Sequence, residues 1–103
     1  MDVSANSIRD TVIQSLAVTY DWDSETHVAD LRVLSGDGVV NTFRIAGLSR
    51  LDISDDFTSR YVEFCTLIQI PGRIYLSLDP YEEGIESERD NFSFVGREIR
   101  QID

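Results

Sequence analysis

The chain has 103 residues, 42% hydrophobic and 27% charged, which is the size and composition of a single globular domain. Nineteen acidic residues against nine arginines give a net charge of −10, which repels nucleic-acid phosphate and anionic lipid and favours a basic protein partner. No apolar run approaches the roughly 20 residues of a membrane span, and the N-terminal segment lacks the features of a secretory signal, so we expect a cytoplasmic protein.

Alternation of apolar and polar residues dominates the first half of the chain and predicts half-buried strands. In the first of them, Leu16, Val18 and Tyr20 share one face. The short connections are rich in turn residues, so these strands are expected to form an antiparallel meander. The predicted strands are 15–22, 27–34 and 39–47.

The spacing of apolar residues between 55 and 70 fits both a helical face and a strand face. Because β-branched and aromatic residues pack well on a pleated sheet, we predict a single helical turn at 55–60 and a strand at 61–70. The remaining predicted strands are a short one at 49–54, one at 73–78 after the Pro71-Gly72 turn, and one or two within 91–102.

These elements predict an all-β fold for residues 1–103, taken as one domain. We expect six to seven antiparallel strands in a twisted sheet, a sandwich or a half-barrel, with at most one short helical turn near 55–60.

The segment DPYEEGIESERD, residues 79–90, concentrates the negative charge, with six acids and one arginine. As an EF-hand loop it would place Asp79, Gly84 and Asp90 at positions 1, 6 and 12. Position 3, however, is Tyr81, which has no carboxylate, and the flanking segments are predicted strands rather than helices. We therefore predict no calcium site, although weak divalent-ion binding by the clustered carboxylates remains open.

Two interpretations of this segment remain, a solvated hairpin loop and a recognition surface in which an anchor among Tyr81, Ile85 and the adjacent Phe92 is ringed by charge. A second acidic cluster surrounds Trp22 in the YDWDSE segment. The predicted partner-binding residues are Asp79, Tyr81, Glu82, Glu83, Glu86 and Glu88 of the first cluster, with Asp21, Trp22 and Asp23 of the second.

The sequence contains few of the residues and motifs on which catalysis commonly depends. His27 and Cys65 are its only histidine and cysteine, so no internal disulfide forms, and the apolar neighbours of Cys65 favour a buried, inert thiol. No phosphate-binding, dinucleotide-binding or zinc-protease motif is present. We predict no catalytic residues, no cofactor and no metal ion.

The segments YDWDSETHVADLRV and NTFRIAGLSRLDIS combine an acidic turn between two strands with an aromatic strand and a short apolar strand. In this layout the first half of the chain resembles small uncharacterised bacterial β proteins and immunity proteins of polymorphic toxin systems. The resemblance implies a stoichiometric binder of a basic enzyme or toxin. Our hypothesis is therefore a non-enzymatic acidic protein-binding module, and the alternatives are a structural or homo-oligomeric β protein, such as a homodimer, and a nucleic-acid mimic.

Overall fold

The computed structural model describes residues 3–53 and 60–103. Within these ranges the chain has one short helix, α1, and nine strands, β1 to β9. Their bounds are α1 Ala5–Ile8, β1 Thr11–Asp21, β2 Thr26–Leu34, β3 Val40–Leu48, β4 Arg50–Asp52, β5 Tyr61–Val62, β6 Thr66–Ile70, β7 Arg73–Asp79, β8 Asn91–Gly96 and β9 Glu98–Gln101.

The strands form two antiparallel sheets, one of them curled into a half-barrel, so the predicted all-β fold class is confirmed. The five-stranded sheet has the order β5-β1-β2-β3-β9, and the four-stranded sheet has the order β4-β8-β7-β6. Strands β1, β2 and β3 form the predicted antiparallel meander. The described residues contain nine strands rather than six or seven, because two predicted segments divide where the chain passes from one sheet to the other.

The first divided segment is 61–70, which we predicted as one strand. Val62 ends β5 in the five-stranded sheet, and Thr66 begins β6 in the four-stranded sheet. Val62 and Cys65 are both buried although they are three residues apart, whereas Phe64 between them is exposed. The alternation is broken there because the chain crosses between sheets.

The second such segment is 91–102, where we predicted one or two strands; two are present, β8 and β9, and they belong to different sheets. Gly96 permits this corner, because a Cβ atom there would lie 2.6 Å from Cγ2 of Ile45. The backbone N–H of the next residue, Arg97, donates to the carbonyl of Ala46 at 2.9 Å. The corner is thereby fixed against β3.

The helical content differs from the prediction. The helical turn predicted at 55–60 lies, apart from Arg60, outside the described residues, and α1 occupies Ala5–Ile8, where we predicted no helix. The backbone N–H of Ser4 donates to Oγ of Ser7 at 3.1 Å, and the buried Ile8 anchors the turn in the core. A single turn of this length is too short to produce helical periodicity, which is why the sequence pattern missed it.

The hydrophobic core lies between the two sheets, and β1 runs beyond it. Leu16 packs against the core, but Val18 and Tyr20 are 43% and 39% exposed. The expectation that these three residues share a half-buried face is therefore wrong for the outer part of β1. The β1–β2 hairpin consequently ends in a tip with solvent on both sides.

Strand β7 is buried on both faces. Leu76 and its alternate neighbours face the core, whereas Tyr75 and Ser77 point to the opposite face and are also buried, at 4% and 0% exposure. The 79–90 connection folds back over that outer face. The backbone N–H of Gly84 donates to Oγ1 of Thr66 at 2.8 Å, and Ser77 Oγ donates to the carbonyl of Asn91 at 3.2 Å.

Candidate functional site

The tip of the β1–β2 hairpin presents an exposed aromatic group among acids. Trp22 is 82% exposed and lies edge-on to Tyr20, with 4.7 Å between the ring centroids. Tyr20 in turn contacts the ring of His27 on β2 at 5.1 Å. The three rings therefore support one another across the hairpin, and the indole is positioned at the tip.

The turn itself is held by Asp21. Its carboxylate accepts a hydrogen bond from the backbone N–H of Asp23 at 3.0 Å and one from the hydroxyl of Ser24 at 2.9 Å. The Ser24 hydroxyl, followed by the Asp23 N–H, lowers the pKa of Asp21 below its usual value. Asp21 thus has a structural role in addition to its predicted place at a partner-binding surface. Asp23 and Glu25 are exposed beside it.

The 79–90 loop is organised around Asp90, which is 8% exposed. Its carboxylate accepts hydrogen bonds from the backbone N–H groups of Tyr81 at 2.7 Å and Ser87 at 3.1 Å, and from the hydroxyl of Tyr75. An EF-hand would need this carboxylate to face a cation. Here it points into the loop and binds N–H and O–H donors instead.

Three further acids of the loop bind other parts of the chain. Glu83 accepts hydrogen bonds from Nε of Arg9 at 3.0 Å and from the backbone N–H of Cys65 at 2.9 Å. Glu86 accepts two from Arg73, both at 3.0 Å. Asp79 accepts one from the side-chain amide of Asn91 at 3.1 Å. The loop is therefore tied to the rest of the chain by its acids, while residues 81–86, 88 and 89 stay exposed to solvent.

The predicted anchor of this loop, Tyr81, is 64% exposed. Its ring lies 5.0 Å from the guanidinium of Arg89, which also donates a hydrogen bond to its hydroxyl at 3.0 Å. Glu82 and Glu88 are exposed on the same loop. Among the predicted acids of the loop, Glu82 and Glu88 are the two whose carboxylates bind no donor in the described part of the chain.

Arg73 borders both acidic clusters. Its guanidinium binds Glu86 of the loop, and it also lines a shallow cleft with Glu25, Thr26 and His27 of the hairpin. Sequence analysis assigned no role to Arg73 or to Arg9. The alternation within RIYLSL was the one sequence signal that bears on this region. It places Tyr75 and Ser77 together on one face of the strand, the face that the 79–90 loop covers.

Cys65 has the character of a core thiol. Burial raises its pKa to about 12; the Arg9 guanidinium opposes this shift, and the Glu83 carboxylate adds a smaller increase. A thiol with this pKa is protonated at neutral pH and is a poor nucleophile.

Two further findings concern residues 3–53 and 60–103. No group of three or more His, Cys, Asp or Glu side chains in these ranges is arranged to hold a metal ion. No helix within them is long and apolar enough to cross a membrane. In the comparisons with known proteins, no family model, curated protein or solved structure matches this chain.

Proposed function

We propose that this protein is a non-enzymatic, acidic protein-binding module of immunity-protein character, which engages a basic surface of a partner protein through the tip of its β1–β2 hairpin. The observation that carries the proposal is the 82% exposure of Trp22 beside Asp21, Asp23 and Glu25. Tryptophan is the side chain most enriched at the energetic centres of protein interfaces, because it buries a large apolar area when a partner covers it.

The support around Trp22 favours binding. Because its ring rests against Tyr20 at 4.7 Å, part of the side-chain entropy that association would remove is already lost in the free protein. The Asp21 turn holds the tip in shape, with hydrogen bonds of 3.0 Å and 2.9 Å. A partner would meet an anchor that is already in position.

The acids around Trp22 would orient a basic partner and speed its association. Carboxylates at the rim of an interface raise the association rate for a basic partner more than they raise the final affinity, and salt weakens this effect. Together with the net charge of −10, they favour a partner whose complementary surface is rich in arginine or lysine.

The 79–90 loop is the second predicted surface and is less well suited to this role. The carboxylates of Asp79, Glu83, Glu86 and Asp90 already bind internal donors, and the Tyr81 ring is in contact with Arg89. A partner would have to replace these contacts before using the groups. We assign the anchor to the hairpin and a peripheral charge contribution to Glu82 and Glu88.

The proposal is tested by affinity capture from lysate with four tagged forms of the chain, followed by mass spectrometry. The forms are the wild type, Trp22→Ala, Tyr81→Ala and Phe64→Ala, the last being an exposed aromatic residue outside both clusters (52% exposed). We expect one basic protein in equal stoichiometry with the wild type. It should be lost with Trp22→Ala, at a cost of about 2 kcal/mol or more in binding free energy, and retained with Phe64→Ala.

The association rate of the captured partner should fall as salt increases, and the Asp23→Lys/Glu25→Lys variant should abolish most of this dependence. Retention of the partner by Trp22→Ala would contradict the proposed anchor. Recovery of only the chain itself would favour the homo-oligomeric alternative. A partner that binds DNA or RNA and is released by nucleic acid would favour the nucleic-acid mimic.

A further inference from the structure

A cleft of about 620 Å³ lies where β2, β3 and β9 meet the β6–β7 turn. Clefts that hold small molecules commonly measure about 300–1,000 Å³. On a protein with nineteen acids and nine arginines, three arginines line this one cleft, together with two acids. The lining charges are Arg44, Arg97, Arg100, Asp21 and Glu98.

The charge of Arg44 is compensated internally. Its guanidinium donates two hydrogen bonds to the carboxylate of Asp30, at 2.8 Å and 3.0 Å. This pairing raises the pKa of Arg44, and the more distant Asp21 acts in the same direction. Arg44 is thereby held against the sheet as a fixed wall of the cleft.

Arg97 and Arg100 are different. In the described residues, neither side chain forms an ion pair or a hydrogen bond, whereas Arg9, Arg44, Arg50 and Arg73 each bind a carboxylate. Arg100 lies directly opposite Arg44 in the β3–β9 register, but the Asp30 carboxylate binds Arg44 and not Arg100. An anion in the cleft would pair with the guanidinium donors that Arg97 and Arg100 leave unused.

The backbone holds Arg97 at the edge of the cleft. A Cβ atom on Gly47 would lie 2.7 Å from both Cγ and Cδ of Arg97, so the aliphatic stem of the arginine lies directly on this glycine. Gly47 also has a φ of +63°, which disfavours other residues there. The position of Arg97 therefore depends on the absence of a side chain at residue 47.

The rest of the lining is mixed, with the polar Ser24, Thr26 and Gln69 beside aliphatic residues. Val28, Ile70, Ile74 and Ile99 are the aliphatic lining residues, and Ile70, which is 56% exposed, contributes the largest exposed side chain of the four. An inorganic anion would leave this apolar surface in water. A ligand with both an anionic head and an apolar body would cover the aliphatic surface and satisfy the arginines at once.

We propose that this cleft binds small organic anions with an apolar body, with Arg97 and Arg100 as the residues that bind the anionic group. Glu98 lies two residues before Arg100 on the same face of β9 and opposes the binding. Trp22 is not part of the lining, although Asp21 and Ser24 of the same hairpin tip are.

The test is a titration of the isotopically labelled full chain, followed by amide NMR shifts at constant ionic strength. The probes are 4-phenylbutyrate, the uncharged 4-phenylbutan-1-ol and inorganic phosphate. We expect saturable shifts from 4-phenylbutyrate at residues 26–28, 70–74 and 97–100, and at least about 10-fold weaker binding of the other two probes. Scattered or unsaturable shifts, or equal binding of acid and alcohol, would overturn the proposal.

Variants complete the test. The double variant Arg97→Gln/Arg100→Gln should weaken 4-phenylbutyrate binding by about 10-fold or more, and Glu98→Gln should strengthen it. The matched control is Arg32→Gln, which removes an exposed arginine of β2 that lies outside the cleft and binds Gln14. If the control weakens binding as much as the double variant, the effect reflects overall charge and the assignment of Arg97 and Arg100 is wrong.

Discussion

The hairpin tip around Trp22 and the 79–90 loop have similar compositions and opposite structural roles. Both combine acids with an exposed aromatic residue. In the loop, Asp79, Glu83, Glu86 and Asp90 bind donors elsewhere in the chain and close it over β6, β7 and β8. At the hairpin tip, Asp21 binds only the neighbouring turn, and the aromatic group is left projecting. A high density of charge in the sequence therefore does not show whether a segment's acids bind donors within the protein or are free to contact a partner.

The largest difference between the regions should appear on removing one carboxylate from each. Asp90→Ala leaves two backbone N–H groups and the buried hydroxyl of Tyr75 without their acceptor, and we expect a loss of about 3 kcal/mol in the free energy of unfolding. The matched change Asp23→Ala should cost less than about 0.5 kcal/mol, because that side chain is exposed. Urea unfolding followed by circular dichroism measures both. Equal losses would refute the contrast between the regions.

The second expected effect is a loss of stability at alkaline pH, and it arises from the Tyr75 hydroxyl that lies under the 79–90 loop. Burial, followed by the hydrogen bond to Asp90, raises the pKa of Tyr75 to about 12, from the ordinary value of 10.0. Because the folded pKa is the higher one, the protonated hydroxyl contributes its stability below about pH 10, and this contribution is lost as the pH rises toward about 12.

The free energy of unfolding of the wild type should therefore fall more steeply above about pH 10 than that of Tyr75→Phe. Cys65 also titrates in the alkaline range, with its pKa raised to about 12, but its effect is common to both proteins and cancels in the difference. Parallel pH profiles for the two proteins would mean that the Tyr75 hydroxyl is not held in the buried contact under the loop.

A smaller effect is expected at the rim of the loop. Arg73→Gln removes the two hydrogen bonds from Arg73 to Glu86. Because both side chains are about 40% exposed, the loss in the free energy of unfolding should stay within about 1 kcal/mol. Added salt should reduce the difference between wild type and variant. A cost comparable to that of Asp90→Ala would place the main attachment of the loop at Arg73 rather than at Asp90.

The smallest effect concerns the hairpin tip and leaves stability unchanged. Trp22 is the only tryptophan, so its fluorescence reports on the tip alone. Relative to the quenching of free N-acetyltryptophanamide, caesium should be favoured over iodide, because the neighbouring carboxylates attract the cation and repel the anion. Asp23→Asn/Glu25→Gln should reduce this preference. Asp90→Ala should leave this preference unchanged under conditions where that variant remains folded, because it alters the 79–90 loop and not the hairpin tip.

The sequence pattern predicted the fold class and the second and third strands well, but it began the first strand at residue 15 instead of Thr11. Alternation in 27–34 and 39–47 reflects a sheet with one face on the core, and this local signal agrees with the burial of Leu31, Val33, Phe43 and Ile45. The pattern was misread in 61–70, because a change of sheet keeps the β-branched composition and breaks only the alternation. It also missed α1, which is one turn long and is held by the Ser4–Ser7 contact.

For the candidate surfaces, the sequence identified the segments of unusual composition. It did not show which of their side chains are exposed or which residues they contact. Trp22 among acids was visible as a motif, but its 82% exposure depends on where the core ends along β1. The arginine-lined cleft had no sequence signal, because Arg44 lies more than fifty residues from Arg97 and Arg100, and only the β3–β9 pairing brings them together.

By itself, the sequence determined the acidity, the all-β pattern and the two acid-rich segments, since each depends on the identity and spacing of neighbouring residues. Tertiary structure alone decided which acids are bound and which are presented. Glu83 pairs with Arg9, 74 residues away, and Asp90 closes a loop over β7. Electrostatic and hydrogen-bond energies depend on distances of a few ångströms between groups, and in a sheet those distances are set by strand pairing rather than by order along the chain.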